Sequence, residues 1–112
     1  MSPQLTYVIQ FVADMDQSIQ FYSEALGLPV KFKSPFWSEL VTGETSLALH
    51  PASAQNPSGS LQLGFKVSDL DLFYREMTAK GIKFTQAPTR EGGSRLARFL
   101  DQQGVEYSVS GD

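Results

Sequence analysis

The chain of 112 residues contains no cysteine, a single histidine and a single tryptophan. Without cysteine it can form no disulfide bond, thiolate metal site or thiol nucleophile, and such a composition suits a reducing compartment. One histidine leaves one imidazole base, and no serine lies in a nucleophile-elbow motif. The sequence therefore gives no support to cysteine chemistry or to hydrolysis by a Ser-His-Asp triad.

An excess of positive charge and long apolar runs are also missing. Nine Lys and Arg residues stand against twelve Asp and Glu residues, with a net charge of -3 and a pI near 5.0. This balance gives no electrostatic reason to expect a nucleic acid or an anionic membrane surface as a partner. No apolar run approaches the length of a membrane span, and residues 1–4 do not resemble a signal peptide. We expect a cytoplasmic protein.

Two segments share one pattern, a strand that runs into a capped helix. They read FVADMDQSIQFYSEALGL, residues 11–28, and FKVSDLDLFYREMTAKGI, residues 65–82. Asp14 and Asp69 are placed to accept hydrogen bonds from the first helical turn, and Gly27 and Gly81 can take the left-handed conformation that ends a helix. The aspartates are 55 residues apart and the glycines 54, so the pattern is an internal repeat.

Apolar side chains follow the periods of these elements. In the strand at residues 5–12, alternation places Tyr7, Ile9 and Phe11 on one face. In the helices, spacings of three and four residues predict one apolar stripe each. The stripes are Met15, Ile19, Tyr22 and Leu26 in the first helix, and Leu70, Phe73, Tyr74 and Met77 in the second.

Each half of the chain reads β-α-β-β-β. The later strand candidates are PVKF, FWSELV and TSLALH in the first half, and IKF, SRLARFL and VEYSVS in the second. The first module covers about residues 4–50 and the second about residues 61–110, with a polar linker rich in Pro, Ser and Gly at residues 51–60. A module of about 55 residues buries too little surface to be stable alone, so we expect one domain over residues 1–112.

Several motifs resemble the glyoxalase/bleomycin-resistance protein/extradiol dioxygenase superfamily, also called vicinal oxygen chelate. They are V-x-D-x-x-x-S-x-x-F-Y-x-x-x-L-G at residues 12–27, V-x-D at 67–69, K-G-I-K-F at 80–84 and R-F-L-D-x-x-G at 98–104. The resemblance implies an α+β fold in which two βαβββ modules form curved mixed sheets around a cleft. It also implies a homodimer that pairs modules side by side or exchanges them between chains.

In the metal-dependent members, four cleft-facing His, Gln or Glu side chains hold a divalent ion that stabilises an enediolate or a similar oxyanion. Carried over by position, the resemblance places Tyr7, Ala48, Gln62 and Ser108 at these four ligand positions. Only Gln62 is a normal ligand, and a neutral amide without carboxylates is a weak one. We therefore expect neither the usual metal nor any other cofactor.

An alternative metal site remains open. His50 and Glu106 each lie two residues from a ligand position, so in a strand they face the same side as Ala48 and Ser108. With Gln62 they could form a shifted site. Otherwise His50 is a solvated residue at a strand end and Glu106 is an exposed strand charge. Acid–base catalysis without metal, using Glu106 or Tyr7, also remains open.

Without a metal, the cleft is expected to bind its ligand through shape and aromatic surface. For the rings the alternative is ordinary core filling. Arg95, beyond the flexible Gly92-Gly93 turn, could reach an anionic or carbonyl-bearing ligand. We expect no catalytic residue. The expected ligand-binding residues are Tyr7, Ile9, Phe11, Phe36, Trp37, Ala48, His50, Gln62, Arg95, Glu106 and Ser108.

Two functions follow from this interpretation. The first is a binding protein similar to the bleomycin-resistance branch, which holds an apolar or planar small molecule without transforming it. The alternative is an enzyme, either a glyoxalase-like lyase or isomerase or a dioxygenase-like protein. It would use the shifted metal site or metal-free acid–base chemistry. The sequence does not identify the ligand.

Overall fold

The computed structural model describes residues 2–112, and the α+β class expected from the sequence is confirmed. The elements follow the order β-α-β-β-β twice. None of the helices in residues 2–112 is long and apolar enough to span a bilayer. The elements of the first half are β1 (Gln4–Val12), α1 (Met15–Gln20), β2 (Val30–Phe32), β3 (Ser38–Leu40) and β4 (Ser46–Pro51). Those of the second are β5 (Leu61–Lys66), α2 (Leu70–Ala79), β6 (Phe84–Glu91), β7 (Ser94–Leu100) and β8 (Glu106–Ser110).

The chain divides into two compact units. One consists of residues 6–62, and the other of residues 63–112 together with 2–5. The boundaries fall inside β1 and β5, a few residues away from the module boundaries expected from the sequence. The expectation that residues 1–112 form one domain stays a prediction.

In the unit of residues 6–62, the strand order is β2-β3-β4-β1. β1 and β4 run parallel, and the β2–β3 and β3–β4 pairs are antiparallel. Helix α1 covers one side of these strands, where burial of apolar side chains supplies the main driving force for packing. The buried residues of this core are Val12, Ile19, Leu40 and Leu49, with Met15, Tyr22, Leu28 and Leu47 packed against them.

Helix α1 begins as the sequence predicts and ends differently. The Asp14 carboxylate accepts a hydrogen bond from the Gln17 N–H at 3.0 Å, and Gly27 has a φ of 72°. Between these ends, residues 21–25 form a π-helical segment that closes with a bond from the Leu26 N–H to the Phe21 carbonyl. The wider turn changes the angular spacing of later residues. Leu26 is therefore 56% exposed, and its place in the apolar stripe was predicted wrongly.

In the unit of residues 63–112, the strand order is β5-β8-β7-β6. β5 and β8 run parallel, and β7 is antiparallel to both β8 and β6. Asp69 caps α2 by accepting from the Leu72 N–H at 3.0 Å, and Gly81 has a φ of 89°, as the repeat predicts. The buried core residues between α2 and these strands are Val67, Leu70, Ala97 and Val109.

Two strands differ in extent from the sequence-based candidates. β3 begins at Ser38 instead of residue 36, because residues 34–37 form a turn closed by the Ser34 hydroxyl. β6 runs from Phe84 to Glu91, well beyond the IKF segment, with irregular pairing between residues 84 and 89. Pro88 lies in that stretch, and proline has no N–H to donate to a neighbouring strand.

The linker returns to the strand from which the first module starts. The Ala52 N–H donates to the Val12 carbonyl at 2.8 Å, and the Gly59 N–H donates to the Phe11 carbonyl at 2.8 Å. The Phe11 N–H in turn donates to the Ser60 carbonyl at 2.9 Å. Residues 52–60, here called the linker loop, therefore have both ends fixed to the end of β1.

Candidate functional site

The strands of residues 6–62 have a second face, on the side away from α1. Strand register determines its composition, because side chains of directly paired residues lie on the same side of a sheet. Ile9 and Glu39 both pair with Ala48, and Phe11 pairs with His50. We call this the aromatic face; its members are Tyr7, Ile9, Phe11, Trp37, Glu39, Ala48 and His50.

Four rings form a continuous chain across the aromatic face. Tyr7 and Trp37 have ring centroids 5.3 Å apart at 85°, Trp37 and His50 6.5 Å apart at 80°, and His50 and Phe11 5.3 Å apart at 65°. These edge-to-face arrangements are the favourable geometry for aromatic pairs. Ala48 is fully buried on the intervening strand β4, and its single methyl group leaves room for Tyr7 and Trp37 to meet.

Trp37 is held in position by the turn that precedes β3. The Ser34 hydroxyl donates to the Trp37 carbonyl at 2.7 Å and accepts from the Trp37 N–H at 3.0 Å. The Ser38 hydroxyl, which is fully buried, donates to the Ser34 carbonyl at 3.1 Å and accepts from the Ser34 N–H at 3.2 Å. Because each hydroxyl makes at least two hydrogen bonds, the backbone of residues 34–38 is fixed, and with it the position from which the indole projects.

Glu39 is the member of this face that the sequence analysis missed. Its carboxylate accepts a hydrogen bond from the indole N–H of Trp37 at 2.7 Å, and its side chain is only 13% exposed. Lys31 is the ion-pair partner at 4.0 Å, with a side chain that is 62% exposed. Burial raises the pKa of the Tyr7 hydroxyl, and the negative charge of Glu39 raises it further. Tyr7, Trp37 and Glu39 thus form one coupled group.

A signal for Glu39 was present in the sequence. If Leu40 is a core residue of a strand, alternation requires Glu39 to lie on the opposite face. Leu40 is indeed fully buried against the α1 side. Pairing with Ala48, which was already an expected site residue, would then have brought Glu39 to the aromatic face.

The structure brings six of the expected ligand-binding residues together: Tyr7, Ile9, Phe11, Trp37, Ala48 and His50. Phe36 does not join them, because its side chain is 76% exposed. His50 is exposed at the end of the ring chain, and its Nδ1 atom lies 2.8 Å from the Pro51 carbonyl oxygen. This contact occupies one of its two ring nitrogens.

Three more of the expected residues lie on β5 and β8. Gln62 is buried and lies two residues before Gly64, and so on the same side of β5. Gly64 pairs with Ser108. Glu106 is on the same side of β8 as Ser108, opposite the buried Val109, and accepts a hydrogen bond from the Thr85 hydroxyl at 2.7 Å.

Arg95 lies on the helix-bearing face of β7. Ala97, two residues further along the strand, packs in the α2 core, so Arg95 projects on the same side. Its guanidinium makes two hydrogen bonds to the Asp71 carboxylate of α2, at 2.9 and 3.3 Å. These bonds hold the pKa of Asp71 below its usual range. Arg95 therefore does not share a side with Ser108, and its expected contact with a ligand stays a prediction.

The residues that the resemblance places at metal-ligand positions do not fit a divalent ion. Tyr7, Ala48 and Ser108 bring no imidazole or carboxylate, and Gln62 brings only a neutral amide. In the described part of the chain, residues 2–112, no group of three or more His, Cys, Asp or Glu side chains is arranged to hold a metal.

One surface depression of residues 6–62 lies apart from the aromatic face. Its volume is about 540 Å³, and it lies where β1 runs into α1. Asp14 on its wall already caps the helix, and Asp16 lies 3.9 Å from Lys33. The depression contains no residue of the aromatic face, where Ile9 and Phe11 are 5% exposed and Ala48 is fully buried.

Comparison with known proteins identifies the family. A sequence profile described as Glyoxalase/Bleomycin resistance protein/Dioxygenase superfamily matches residues 4–109. The chain belongs to this superfamily. Among members of similar sequence is the uncharacterized protein YurT of Bacillus subtilis (strain 168), 32% identical over 111 residues that cover 84% of this chain and 87% of YurT. YraH, an uncharacterized protein of the same organism, is 28% identical over 115 residues, covering 88% of this chain and 90% of YraH.

Solved structures show the same glyoxalase-superfamily fold. Methylmalonyl-CoA epimerase from Mycobacterium tuberculosis has a TM-score of 0.82 at 22% identity, covering 96% of this chain and 87% of the epimerase. The hypothetical protein BH1468 from Bacillus halodurans C-125 has a TM-score of 0.84 at 18% identity, covering 100% of this chain and 96% of that chain. At these identities the likeness establishes the fold and leaves the reaction open.

Proposed function

We propose that this member of the glyoxalase superfamily binds a planar, largely apolar small molecule on its aromatic face, without the metal of the catalytic members. The observation that carries this proposal is the chain of four edge-to-face rings, Tyr7, Trp37, His50 and Phe11. A planar ligand gains stacking and edge contacts from such a surface, and the indole and phenol add polar edges.

Hydrogen bonds within the protein fix the position of Trp37, which supports binding. The two serine hydroxyls of residues 34–38 hold the Trp37 backbone, and Glu39 holds the indole N–H. Ordering side chains at the moment of binding weakens affinity, so a preorganised surface loses less. In function the protein would then resemble the bleomycin-resistance branch, which binds without transforming.

Trp37 is the only tryptophan in the chain, so its fluorescence tests the proposal directly. Planar aromatic compounds found to bind by calorimetry should change its emission, and Tyr7→Leu should weaken their binding about tenfold, as loss of one aromatic contact predicts. Phe36→Leu is the matched control, because it removes an exposed ring next to Trp37. Compounds that bind without changing Trp37 emission would contradict the proposal.

An isomerase or lyase is the second candidate, and the arrangement of Tyr7 and Glu39 favours it. A carboxylate of 13% exposure beside a phenol offers a base and a hydrogen-bond donor to the same ligand. Two-carbonyl compounds incubated with the protein in D₂O discriminate the two functions. An enzyme of this type would exchange the α-proton for deuterium in a Glu39-dependent way, whereas a binding protein would not.

We also infer a homodimer. The expectation comes from the family resemblance, and the strand order supports it, since β2 lies at the end of its order and carries the exposed side chains Val30 and Phe32. Apolar side chains on an edge strand are commonly covered by a partner. Sedimentation equilibrium should give twice the chain mass of 12.4 kDa; the mass of a single chain would contradict the inference.

A further inference from the structure

We propose that the aromatic face selects a ligand that carries a positive charge next to its planar part, such as an arylammonium or quaternary ammonium group, and that Glu39 provides this selectivity. The inference rests on the proposed function, because it concerns the ligand of the same face. It adds the sign of the ligand's charge and the residue that recognises it.

The Glu39 carboxylate has one neutral hydrogen-bond donor and one distant cation as its partners. One of its oxygens accepts from the Trp37 indole, a neutral donor. The other is 4.0 Å from the Lys31 ammonium, whose side chain is 62% exposed and therefore largely solvated. The Glu39 side chain is only 13% exposed, and carboxylates so placed in proteins normally have cations or several hydrogen bonds as partners. A ligand cation would add a close, charged partner.

The rings next to Glu39 also favour a cation. The face of an aromatic ring carries partial negative charge and attracts a cation that approaches within about 6 Å of its centroid. The planes of Tyr7 and Trp37 meet at 85°, so the edge of one ring rests against the face of the other. The ring that contributes its edge has neither of its faces covered by this contact. Glu39 and these rings then attract the same sign of charge.

The unit of residues 6–62 carries an excess of negative charge. Residues 6–62 contain five carboxylates and two lysines, and both lysines are near carboxylates, Lys31 near Glu39 and Lys33 near Asp16. A surface with excess negative charge raises the local concentration of cations and lowers that of anions. An anionic ligand would meet repulsion from Glu39. The same atoms that favour a cation therefore disfavour the anionic ligand that the sequence analysis considered for Arg95.

Two phenols of equal shape test the inference. The (3-hydroxyphenyl)trimethylammonium ion and 3-tert-butylphenol differ in one central atom and one charge. By calorimetry and Trp37 emission, the wild-type protein should bind the cation at least about tenfold more tightly, within the range of a partly desolvated cation–π and carboxylate site. Glu39→Gln should abolish this difference. Glu44→Gln, the same change of charge on the exposed turn before β4, should preserve it.

A second variant does not depend on how well Glu39→Gln folds. Lys31→Met removes the cation that competes for Glu39, and its exposed side chain makes a folding defect unexpected. It should strengthen binding of the ammonium probe about threefold and leave binding of 3-tert-butylphenol unchanged, as removal of an exposed charge pair predicts.

The outcomes separate the inference from the function beneath it. Failure of both probes to bind contradicts the proposed function together with the inference. Equal binding of both probes by the wild-type protein contradicts the inference alone and leaves an aromatic binding face in place. A preference for the cation that persists in Glu39→Gln contradicts the role of Glu39. A preference that is lost in Glu39→Gln and enhanced in Lys31→Met supports the whole proposal.

Discussion

Gly111 is required by packing space at the end of β8. A methyl group on its Cα atom would lie 2.4 Å from the Val67 carbonyl oxygen and 3.1 Å from the Val67 Cγ2 atom. The first contact is with backbone, which cannot rotate away as a side chain can. The Gly111 N–H also donates to the Arg95 carbonyl at 3.2 Å. The smallest residue therefore allows the end of the chain to pack beside the start of α2.

Gly111→Ala should lower the free energy of unfolding by about 2 kcal/mol, within the range for a forced overpacking. Gly93→Ala is the matched control, since a methyl group there meets nothing within 4 Å. Both changes reduce the entropy of the unfolded chain equally, so the difference between them reports the clash. Urea denaturation measures it; equal stability of the two variants would contradict the steric explanation.

The raised pKa of Tyr7 predicts a loss of stability in alkali. In the unfolded chain the phenol ionises near its ordinary value of 10.0, whereas the folded protein holds the proton to higher pH. The unfolded state is thus stabilised first as pH rises above about 10, and the free energy of unfolding falls. In Tyr7→Phe this part of the decline should disappear, as urea denaturation from pH 9 to pH 11 would show.

Burial is the larger cause of the raised Tyr7 pKa, and the negative charge of Glu39 is the smaller one. Glu39→Gln should therefore lower the pKa of Tyr7 partway towards 10.0. NMR of the ring carbons resolves Tyr7 from the other three tyrosines. Glu44→Gln serves again as the control of equal charge. A Tyr7 pKa that does not move in Glu39→Gln would mean that the two groups are electrostatically independent.

At the scale of elements, the short turn before β3 controls the aromatic face. β3 has three residues, and a strand this short cannot orient Trp37 by pairing alone. The hydroxyl of Ser34 supplies the missing constraint, since the N–H of Phe36 and that of Trp37 both point to it, at 3.3 and 3.0 Å. Ser34 is therefore a positioning residue for the tryptophan of the aromatic face.

Ser34→Ala should lower the free energy of unfolding by about 1 to 2 kcal/mol through loss of these bonds. It should also lower the fluorescence anisotropy of Trp37, because the indole gains freedom when its backbone is released. Ser58→Ala, in the exposed part of the linker loop, is the control and should change neither quantity. Unchanged anisotropy in Ser34→Ala would show that the Glu39 bond alone fixes the indole.

Sequence alone predicted the elements that depend on local chemistry. The caps at Asp14 and Asp69 and the ends at Gly27 and Gly81 all follow from one residue and its neighbours in the chain. The π-helical segment at residues 21–25 could not be predicted, because its residues suit an ordinary α-helix equally well. The choice between them depends on tertiary packing.

The residues of the candidate site that lie on a long strand were predicted correctly as sharing one face. Nine residues of β1 alternate clearly enough to place Tyr7, Ile9 and Phe11 on one face. In the three residues of β3 the pattern is ambiguous without the pairing partner, so Glu39 was missed. The expectation for Arg95 rested on its distance from the Gly92-Gly93 turn. The side of β7 on which Arg95 lies is instead determined by Ala97, which packs in the α2 core.

Across the whole molecule, the two copies of the repeat have similar helix-on-sheet cores, but the faces of their strands away from the helix differ. In both units a capped helix packs on four strands through apolar side chains. On the opposite side, the first unit carries rings, whereas β7 and β8 of the second carry Arg98 and Ser108, which pair with each other across the two strands. Arg98 also contacts Gln86 and Glu91 through its guanidinium.

The side chains on these two faces predict a protein that needs no divalent ion. Material purified without chelators should contain Ni, Zn, Fe and Mn far below one ion per chain, and EDTA should leave the urea midpoint unchanged. The reason is the chemistry of Tyr7, Ala48 and Ser108, which offer no ligand that a divalent metal prefers. A stoichiometric metal that is lost in His50→Ala would instead establish the shifted site.

The linker loop is a site where an additional sequence can be inserted into the chain. Both of its ends are fixed to Phe11 and Val12, so a sequence inserted between Asn56 and Pro57 would leave the anchoring hydrogen bonds in place. Lengthening a closed loop costs little entropy, about 0.6 kcal/mol for each doubling. Because Phe11 is also a member of the ring chain, a fluorescent protein inserted there would be joined to the backbone beneath the binding surface. Binding at the rings would then be reported by the inserted domain.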